Sequence, residues 1–270
     1  MSRPHSTITT IGNAVYTSSV SYDSKSRLDT TTYPTGFAVR NVYDGQGFLK
    51  RVEKANDASL VYWRLEDVNG DGKAVNADGQ IINETRDANI TVERTYNAAS
   101  GRLDRLITGG GAVQDLAYDF DPIGNLKSRQ DNLQGLWEGF DYDDLNRVET
   151  ITTHAGSGSS SKTLGYDGLG NITSKPGMGA YTYDPSRPHV ITVAGPHTYT
   201  HDANGNMLTG AGRSITWNQA NLPTRIEQGA TGLSFSYGPD RARFRQRATV
   251  NGQLEVTFYI GGLYEKVTMR

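Results

Sequence analysis

A short acidic segment has the spacing of a calcium-binding loop. Asp67, Asn69 and Asp71 place side-chain oxygens at positions 1, 3 and 5. Gly72 follows at position 6, and Asp78 stands at position 12. Hard oxygen ligands around a glycine-forced turn are what Ca²⁺ requires. The segment departs from the usual pattern because Asp78 is shorter than a Glu and no flanking helix is indicated. The same residues also suit a bare polar turn, and both interpretations stay open.

Four arginines recur at every second position: Arg241, Arg243, Arg245 and Arg247. On a strand, residues two apart lie on the same face, so this spacing predicts a cationic stripe. Guanidinium groups in a row suit phosphate or an acidic cargo. They also suit a solvated sheet face that is paired with acidic residues of neighbouring strands.

The histidines and the common motifs indicate no catalytic centre. His197 and His201 would converge on a helix, but the residues between them alternate as in a strand. On a strand they stand about 13 Å apart, too far to share one metal ion. Nucleophile-elbow, zinc-protease and phosphate-binding-loop patterns are absent from the sequence. We therefore expect a protein that is not an enzyme and has no cofactor other than the calcium considered above.

The composition narrows the class of protein. The 270 residues include 31 Gly, 15 Tyr and no Cys, with a formal net charge of -2. Balanced charge argues against a chain-wide nucleic-acid surface or a polybasic membrane anchor. The lack of Cys excludes disulfides and cysteine-based zinc sites. No apolar run approaches the ~18 residues of a membrane span, and the first residues lack the apolar stretch of a secretory signal. We expect a turn-rich protein that folds in the cytoplasm.

One pattern recurs along most of the chain: an aromatic residue, Asp or Asn, a turn containing Gly or Asn, and then an apolar residue. Residues 166–172 read Tyr-Asp-Gly-Leu-Gly-Asn-Ile. From residue 96 to residue 237 the copies follow one another at about 20-residue intervals. The interval from 43 to 96 is longer, which indicates an insertion or a degenerate copy. The aromatic slots are Tyr22, Tyr43, Tyr96, Phe120, Tyr142, Tyr166, Tyr183, His201, Trp217 and Tyr237.

The residues around each slot predict a β-hairpin. Leu233, Phe235 and Tyr237 alternate with Ser234 and Ser236, as in a half-buried strand. After the slot, an Asp such as Asp167 caps a turn, and a Gly adopts the positive φ that closes it. The predicted turn glycines are Gly124, Gly170 and Gly205.

Hairpins in series predict the architecture. One hairpin is marginally stable in water, so successive copies should pair edge to edge. Strand twist then coils a long antiparallel sheet. We predict an all-β fold in which tandem hairpin repeats form one long, coiled sheet. Residues 1–14 are the expected lead-in, and residues 15–270 a continuous array with an irregular insertion around 62–92.

The copies resemble the YD repeats of bacterial Rhs proteins, Tc-toxin shell subunits and teneurins. Residues 199–208, Tyr-Thr-His-Asp-Ala-Asn-Gly-Asn-Met-Leu, read like an Rhs copy, as do residues 213–218. The resemblance covers roughly residues 15 to 270. It implies an open segment of a YD-repeat shell, a hollow β-cocoon that encloses a C-terminal toxin. Because no core segment or toxin follows the last repeat in this sequence, we expect a fragment of a shell or a truncated copy.

The resemblance implies a non-catalytic structural module of a shell that encapsulates a toxin or effector. The expected partners are that polypeptide, or the remaining repeats of the same protein. The expected localisation is secretion or cell-surface delivery by a bacterial secretion system. Open sheet edges also favour self-association. A second interpretation is a cell-surface or glycan-binding repeat module that calcium assists.

Overall fold

The computed structural model describes residues 3–66, 73–87, 89–250 and 252–269, and its regular structure is almost entirely antiparallel β-strand. This confirms the predicted all-β fold of tandem hairpins. The strands form two open sheets, of 14 and 12 strands, where the sequence predicted one.

The strand bounds are as follows. The first sheet contains β1 (Ser6–Ile11), β2 (Ala14–Tyr22), β3 (Leu28–Thr32), β4 (Ala38–Tyr43), β5 (Leu49–Lys54), β6 (Asp57–Leu65), β7 (Asn83–Arg86), β8 (Ile90–Tyr96), β9 (Leu103–Thr108), β10 (Gln114–Phe120), β11 (Leu126–Asp131), β12 (Leu136–Tyr142), β13 (Val148–Ala155) and β14 (Gly158–Thr163). The second sheet contains β15 (Gly165–Tyr166), β16 (Ile172–Lys175), β17 (Gly179–Asp184), β18 (Arg187–Ala194), β19 (His197–His201), β20 (Met207–Gly210), β21 (Arg213–Trp217), β22 (Pro223–Gln228), β23 (Thr231–Tyr237), β24 (Arg243–Val250), β25 (Gln253–Ile260) and β26 (Tyr264–Met269). A short 3₁₀ turn, Gly109–Gly111, joins β9 to β10.

Each sheet is a simple meander in which strands that follow one another in sequence are hydrogen-bonded neighbours. In a meander, every second connection lies at the same end of the strands. The turns that follow the aromatic slots join β2 to β3, β4 to β5, β8 to β9, β10 to β11 and β12 to β13 in the first sheet. These turns therefore all lie at the same end of the strands of that sheet. The equivalent turns of the second sheet likewise lie at one end of its strands.

The register explains the six-residue spacing from the aromatic to the apolar residue. Phe120 is the direct cross-strand partner of Leu126, and Tyr142 is that of Val148. The register shifts beside the slot, because Asp119 pairs with Ser128 whereas Phe120 pairs with Leu126. The extra residue of this bulge, Lys127, lies on the strand after the turn, so the period of two on the strand before the turn continues through the slot.

The chain divides into two compact units, which are described separately. The first comprises Met1–Ser6 and Ser18–Thr163, and the second Thr7–Thr17 and Leu164–Arg270. Strand β1 lies within the expected lead-in of residues 1–14, so hairpin pairing begins before residue 15. The short segment Thr7–Thr17 belongs with the C-terminal strands.

Neither unit has a large apolar core. In the first unit, Val92 is the only buried hydrophobic residue among those described. The corresponding residues of the second unit are Ala194, Ala248, Val256 and Ile260. Most strand residues are half-buried, so cohesion depends on backbone ladders and cross-strand side-chain pairs.

The turn glycines give a first test. Gly170 and Gly205 have φ of +89° and +86°, and an added Cβ at either would meet no atom within 4 Å. A β-branched residue there would be strained by the backbone alone, which costs about 1–3 kcal/mol. We expect Gly170→Val to lower the free energy of unfolding by this amount and Thr173→Val, on β16, to change it by less than about 0.5 kcal/mol. Urea unfolding measures both, and equal small effects would contradict the turn assignment.

Candidate functional site: the turn ladder

The repeat turn is a five-residue loop that its own backbone closes. In the copy at Asp121, the Asp121 N–H donates to the Asn125 carbonyl at 2.9 Å. The Gly124 N–H donates back to the Asp121 carbonyl at 3.1 Å. The same two bonds recur after Asp167, where Asn171 and Gly170 take the equivalent positions. The predicted turn glycines Gly124 and Gly170 therefore occupy the third position after the Asp.

The Asp side chain fills this loop. Oδ1 of Asp121 accepts the backbone N–H groups of Gly124 and Asn125 at 2.7 and 2.8 Å, and Oδ2 accepts the side-chain amide of Asn125 at 2.9 Å. In the copy at Asp143 the fourth residue is Arg147, whose Nε donates to Oδ2 at 2.7 Å. Both carboxylate oxygens are engaged in the turn, so these carboxylates serve as caps.

These hydrogen bonds hold the carboxyls ionised. The side-chain amide of Asn171 lowers the pKa of Asp167, and the backbone N–H of Arg147 lowers the pKa of Asp143. At Asp184, hydrogen bonds from the hydroxyl and then the backbone N–H of Ser186 lower the pKa to about 2. A general acid needs a pKa near the working pH, so these groups are unsuited to that role.

The aromatic slots link each repeat to the one before it. In four copies the Tyr hydroxyl donates to the backbone carbonyl of the residue that begins the strand after the preceding turn. Trp217 does the same with its indole N–H. Tyr22 and Tyr96 donate to carbonyls that lie outside the strands. The observed donor–acceptor pairs are Tyr22 to Pro4 (3.2 Å), Tyr43 to Leu28 (2.8 Å), Tyr96 to Ile81 (3.2 Å), Tyr142 to Leu126 (2.9 Å), Tyr183 to Ile172 (2.9 Å), Trp217 to Met207 (2.8 Å) and Tyr237 to Pro223 (2.7 Å). We call this set the aromatic ladder.

The remaining slot residues keep the same position at the end of a strand. Phe120 has no hydroxyl, and the guanidinium of Arg102 lies 5.8 Å from its ring centroid. His201 pairs across the turn with Met207, and Tyr166 pairs with Ile172. All the slot residues named from the sequence thus lie at the strand end that precedes a turn.

A degenerate copy lies in the long interval between Tyr43 and Tyr96. Val75 stands in the aromatic slot and forms a β-bridge with Ile81. Asn76 replaces the Asp, and its Oδ1 accepts the backbone N–H of Gln80 at 2.9 Å. The signal was present in the sequence, because Val75 precedes Tyr96 by 21 residues, the interval that separates Tyr22 from Tyr43.

Successive turns also contact each other through side chains. In the first unit, the amide of Asn125 donates to Oδ1 of Asn146 in the next turn at 3.0 Å. In the second unit, the amide of Asn206 donates to Oδ1 of Asn221 at 2.8 Å, and Arg187 donates to the Asp202 carbonyl at 2.8 Å. Over these copies, hydrogen bonds between side chains therefore connect each turn to the next.

Only part of the predicted calcium loop can be placed. Asp67, Asn69 and Asp71 lie outside the described residues. Asp78 is an exposed residue of the degenerate turn, and its backbone N–H donates to Oδ1 of Asn76 at 3.0 Å. Among the described residues, no three His, Cys, Asp or Glu side chains are grouped to hold a metal ion. Calcium binding stays a prediction.

The structure separates the arginines of the predicted stripe. Arg241 lies in the turn before β24, at φ +64°, and strand β24 starts only at Arg243. A bulge between Ser236 and Tyr237 shifts the register there. Arg243 stacks on Phe235, whereas Arg245 donates to the Ser236 hydroxyl at 3.0 Å. Arg247 pairs with Ser234 further along the strand. The four residues therefore do not share one uninterrupted strand face.

Two buried glutamates in the first unit were not identified from the sequence. Glu53 is fully buried and accepts hydrogen bonds from Arg40 and Arg51, at 2.9 and 2.6 Å. Glu84 accepts from the Trp63 indole at 2.7 Å and from Arg94 at 2.8 Å. Burial alone would raise the pKa of both carboxyls, but the donors more than offset it and lower both. One arginine partner of each glutamate lies two residues away on the same strand, Arg51 for Glu53 and Arg86 for Glu84. The other donors lie on neighbouring strands, so no local spacing marks them.

No part of the chain that the structure describes contains a helix long and apolar enough to cross a bilayer.

Solved Tc-toxin complexes contain the same fold. The chain matches a Photorhabdus luminescens Tc holotoxin pore with a TM-score of 0.75 and 20% identity, over 95% of this chain and 14% of that one. It matches a TcdB2–TccC3–Cdc42 crystal structure with a TM-score of 0.76 and 20% identity, over 96% and 15%. A TcdB2–TccC3 crystal structure gives 0.72 and 18% identity, again over 96% and 15%.

These matches establish the fold. The chain spans about one-seventh of the length of the chains it matches. No family model and no curated protein matches this sequence. The solved structures therefore show a shared fold, and membership of the Rhs/YD-repeat family stays a prediction from the repeat pattern.

The aromatic ladder can be tested within one strand. Tyr183 donates to the Ile172 carbonyl, whereas the Tyr181 hydroxyl, also on β17, makes no hydrogen bond to any described residue. A lost hydrogen bond to a half-buried carbonyl costs about 1 kcal/mol. We expect Tyr183→Phe to lower the free energy of unfolding by about this amount and Tyr181→Phe to leave it unchanged, as measured by urea unfolding. If both variants lower the free energy of unfolding equally, the hydrogen bond from Tyr183 to Ile172 does not account for the loss.

The Asp184 cap predicts a pH dependence. Its pKa is about 2 in the folded chain against an ordinary value of 3.8. A lowered folded-state pKa stabilises the fold above the ordinary value, and this contribution is lost as the pH falls from about 4 to about 2. Asp184→Asn should therefore melt below the wild type at about pH 6, and the gap should narrow through that window. A gap that does not change down to pH 2 would contradict the assignment.

Proposed function

We propose that the chain is a non-catalytic structural module, a segment of the wall of a β-cocoon that encloses a C-terminal toxin or effector. The shared fold with chains of TcdB2–TccC3 complexes supports this, as does the repeat pattern. A chain that matches about one-seventh of those proteins corresponds to a stretch of wall rather than to a whole container.

The aromatic ladder is the observation that carries the proposal. A container wall must be continuous and must resist local opening. Each hydroxyl–carbonyl bond ties one hairpin to the previous one, in addition to the backbone pairing, in both units. Among the described residues, extensive backbone contact occurs only between strands consecutive in sequence. Such a one-dimensional array extends by adding hairpins.

The turn chemistry supports a non-catalytic role. The conspicuous carboxylates of the sequence, such as Asp121, Asp143 and Asp167, are held as turn caps by two or more donors each. Their low pKa values keep them as hydrogen-bond acceptors. The wall would act physically, by isolating its cargo until release.

The sheet ends define the expected partners. Among the described residues, strands β1, β14, β15 and β26 each have one neighbour in their sheet, so one side of each is without a paired strand there. Further repeats of the same protein would cover such edges, and otherwise self-association would. We infer delivery by a bacterial secretion system after cytoplasmic folding, which fits an enclosed cargo.

Protease protection tests the enclosure. The complete product of the gene that encodes this chain is digested with subtilisin, and the surviving segments are identified by mass spectrometry. We expect a segment C-terminal to the repeats to survive in the wild type and to be degraded when it is expressed alone. Protection arises because a continuous wall excludes the protease.

Matched variants connect that protection to the turns. Gly170→Val combined with Gly205→Val should speed degradation of the enclosed segment, whereas Thr173→Val should not. Equal degradation of the segment inside the wild-type product and alone would refute enclosure, whatever the variants do. A gene product with nothing beyond the repeats would refute it as well.

A further inference from the structure

One turn of the second unit departs from the repeat at four positions. In residues 237–243, Gly238 replaces the Asp, Arg241 replaces the usual Gly or Asn, and Ala242 replaces the usual Asn or Arg. Arg243 replaces the apolar partner of the aromatic slot and pairs directly with Tyr237. The backbone loop is nevertheless intact, because the Gly238 N–H donates to the Ala242 carbonyl at 2.9 Å. Only the side chains that fill the loop have changed.

A different carboxylate caps this turn. Oδ1 of Asp240 accepts the backbone N–H of Ala242 at 3.0 Å. A Cβ added at Gly238 would lie 2.7 Å from that oxygen, so Asp240 reaches into the space beside the missing side chain. The Asp and its Asn or Arg partner, which fill the turns at Asp121, Asp143, Asp167 and Asp202, are both absent here.

A cleft of about 920 Å³ adjoins this turn, all within the second unit. Its walls include Thr9, Asp240, Arg243, Tyr259, Tyr264 and Glu265. The volume falls within the range of small-molecule sites, about 300–1,000 Å³. Backbone also lines the cleft at Gly261 and Gly262, where no side chain covers the peptide groups.

Arg243 is fixed in the cleft by aromatic rings. Its guanidinium carbon lies 4.6 Å from the Tyr259 ring centroid and 5.3 Å from that of Phe235. Among the described residues, no carboxylate pairs with it within 4.0 Å, although other arginines, such as Arg225, form such pairs. Contacts with ring faces leave the N–H groups at the edge of the guanidinium as donors for a ligand.

The charges in the cleft restrict the class of ligand. An anion would meet the carboxylates of Asp240 and Glu265, and a cation would meet the guanidinium of Arg243. A neutral ligand with many hydroxyls can donate to the carboxylates and accept from the guanidinium. Tyr259 and Tyr264 supply amphipathic ring surface beside these polar groups.

We propose that this cleft binds a neutral saccharide. Its hydroxyls donate to Asp240 and Glu265 and accept from Arg243, and its C–H surface packs near the tyrosine rings. The shell function does not depend on this site, and the site does not depend on the shell function.

The test uses the full chain and neutral trisaccharides. Maltotriose, cellotriose, chitotriose and xylotriose are titrated, and binding is followed by saturation-transfer NMR. Arg243→Ala removes the donor, and we expect it to weaken binding about tenfold or more, as loss of a charged hydrogen bond does. Arg225→Ala, which removes an exposed arginine of β22, is the matched control and should bind as the wild type.

A second variant fills the cleft without breaking the fold. The combined changes Gly238→Asp, Asp240→Ala and Ala242→Asn restore the side chains of the turn at Asp121. Gly238 does not have a positive φ, and Asp240→Ala removes the atom that the new Cβ would meet. We expect this variant to retain the wild-type melting temperature and to lose saccharide binding.

Three outcomes would overturn the proposal. In the first, none of the neutral trisaccharides binds. In the second, one binds but the filled variant binds it equally well, which places the site elsewhere. In the third, only trigalacturonate or only spermine, added as charged probes, binds at this cleft.

Discussion

The capped turn is the interaction on which the rest of the structure depends. An Asp carboxylate that accepts two backbone N–H groups fixes a five-residue loop, and this loop fixes the pairing of the residues on either side of it. That pairing sets the end of the strand, and hence the position of the aromatic residue before the turn. Only from this position does the hydroxyl of Tyr142 reach the Leu126 carbonyl of the preceding repeat.

This arrangement compensates for the lack of a deep core. Few side chains are fully buried in either unit, so apolar burial alone provides little cohesion. Hydrogen bonds and ion pairs with defined geometry provide part of the cohesion instead. The buried carboxylate of Glu53, with two arginine partners, extends the same principle to the middle of a sheet. Removing one partner of such a pair leaves an uncompensated charge, which makes the pairing specific.

The repeat made the fold predictable from the sequence, whereas the features that depart from the repeat could not be predicted. Hairpins, turns and slot residues followed from local spacing, because a turn is determined by residues close in sequence. The division into two sheets did not, since the pattern continues on both sides of it. The bulge beside Tyr237 broke the predicted arginine stripe, and two of the donors to Glu84, Trp63 and Arg94, lie on other strands. Neither relation leaves a local signal.

A repeat also makes departures from it informative. Gly238, Ala242 and Arg243 would each be unremarked in an ordinary chain, but every one occupies a position whose usual occupant and contacts the other copies define. All three lie at one cleft, and Asp240 restores the cap that the turn would otherwise lack. The loop geometry is preserved while the filling side chains are gone, so the changes open space beside the turn. Such a pattern is what a binding site inserted into a structural array requires.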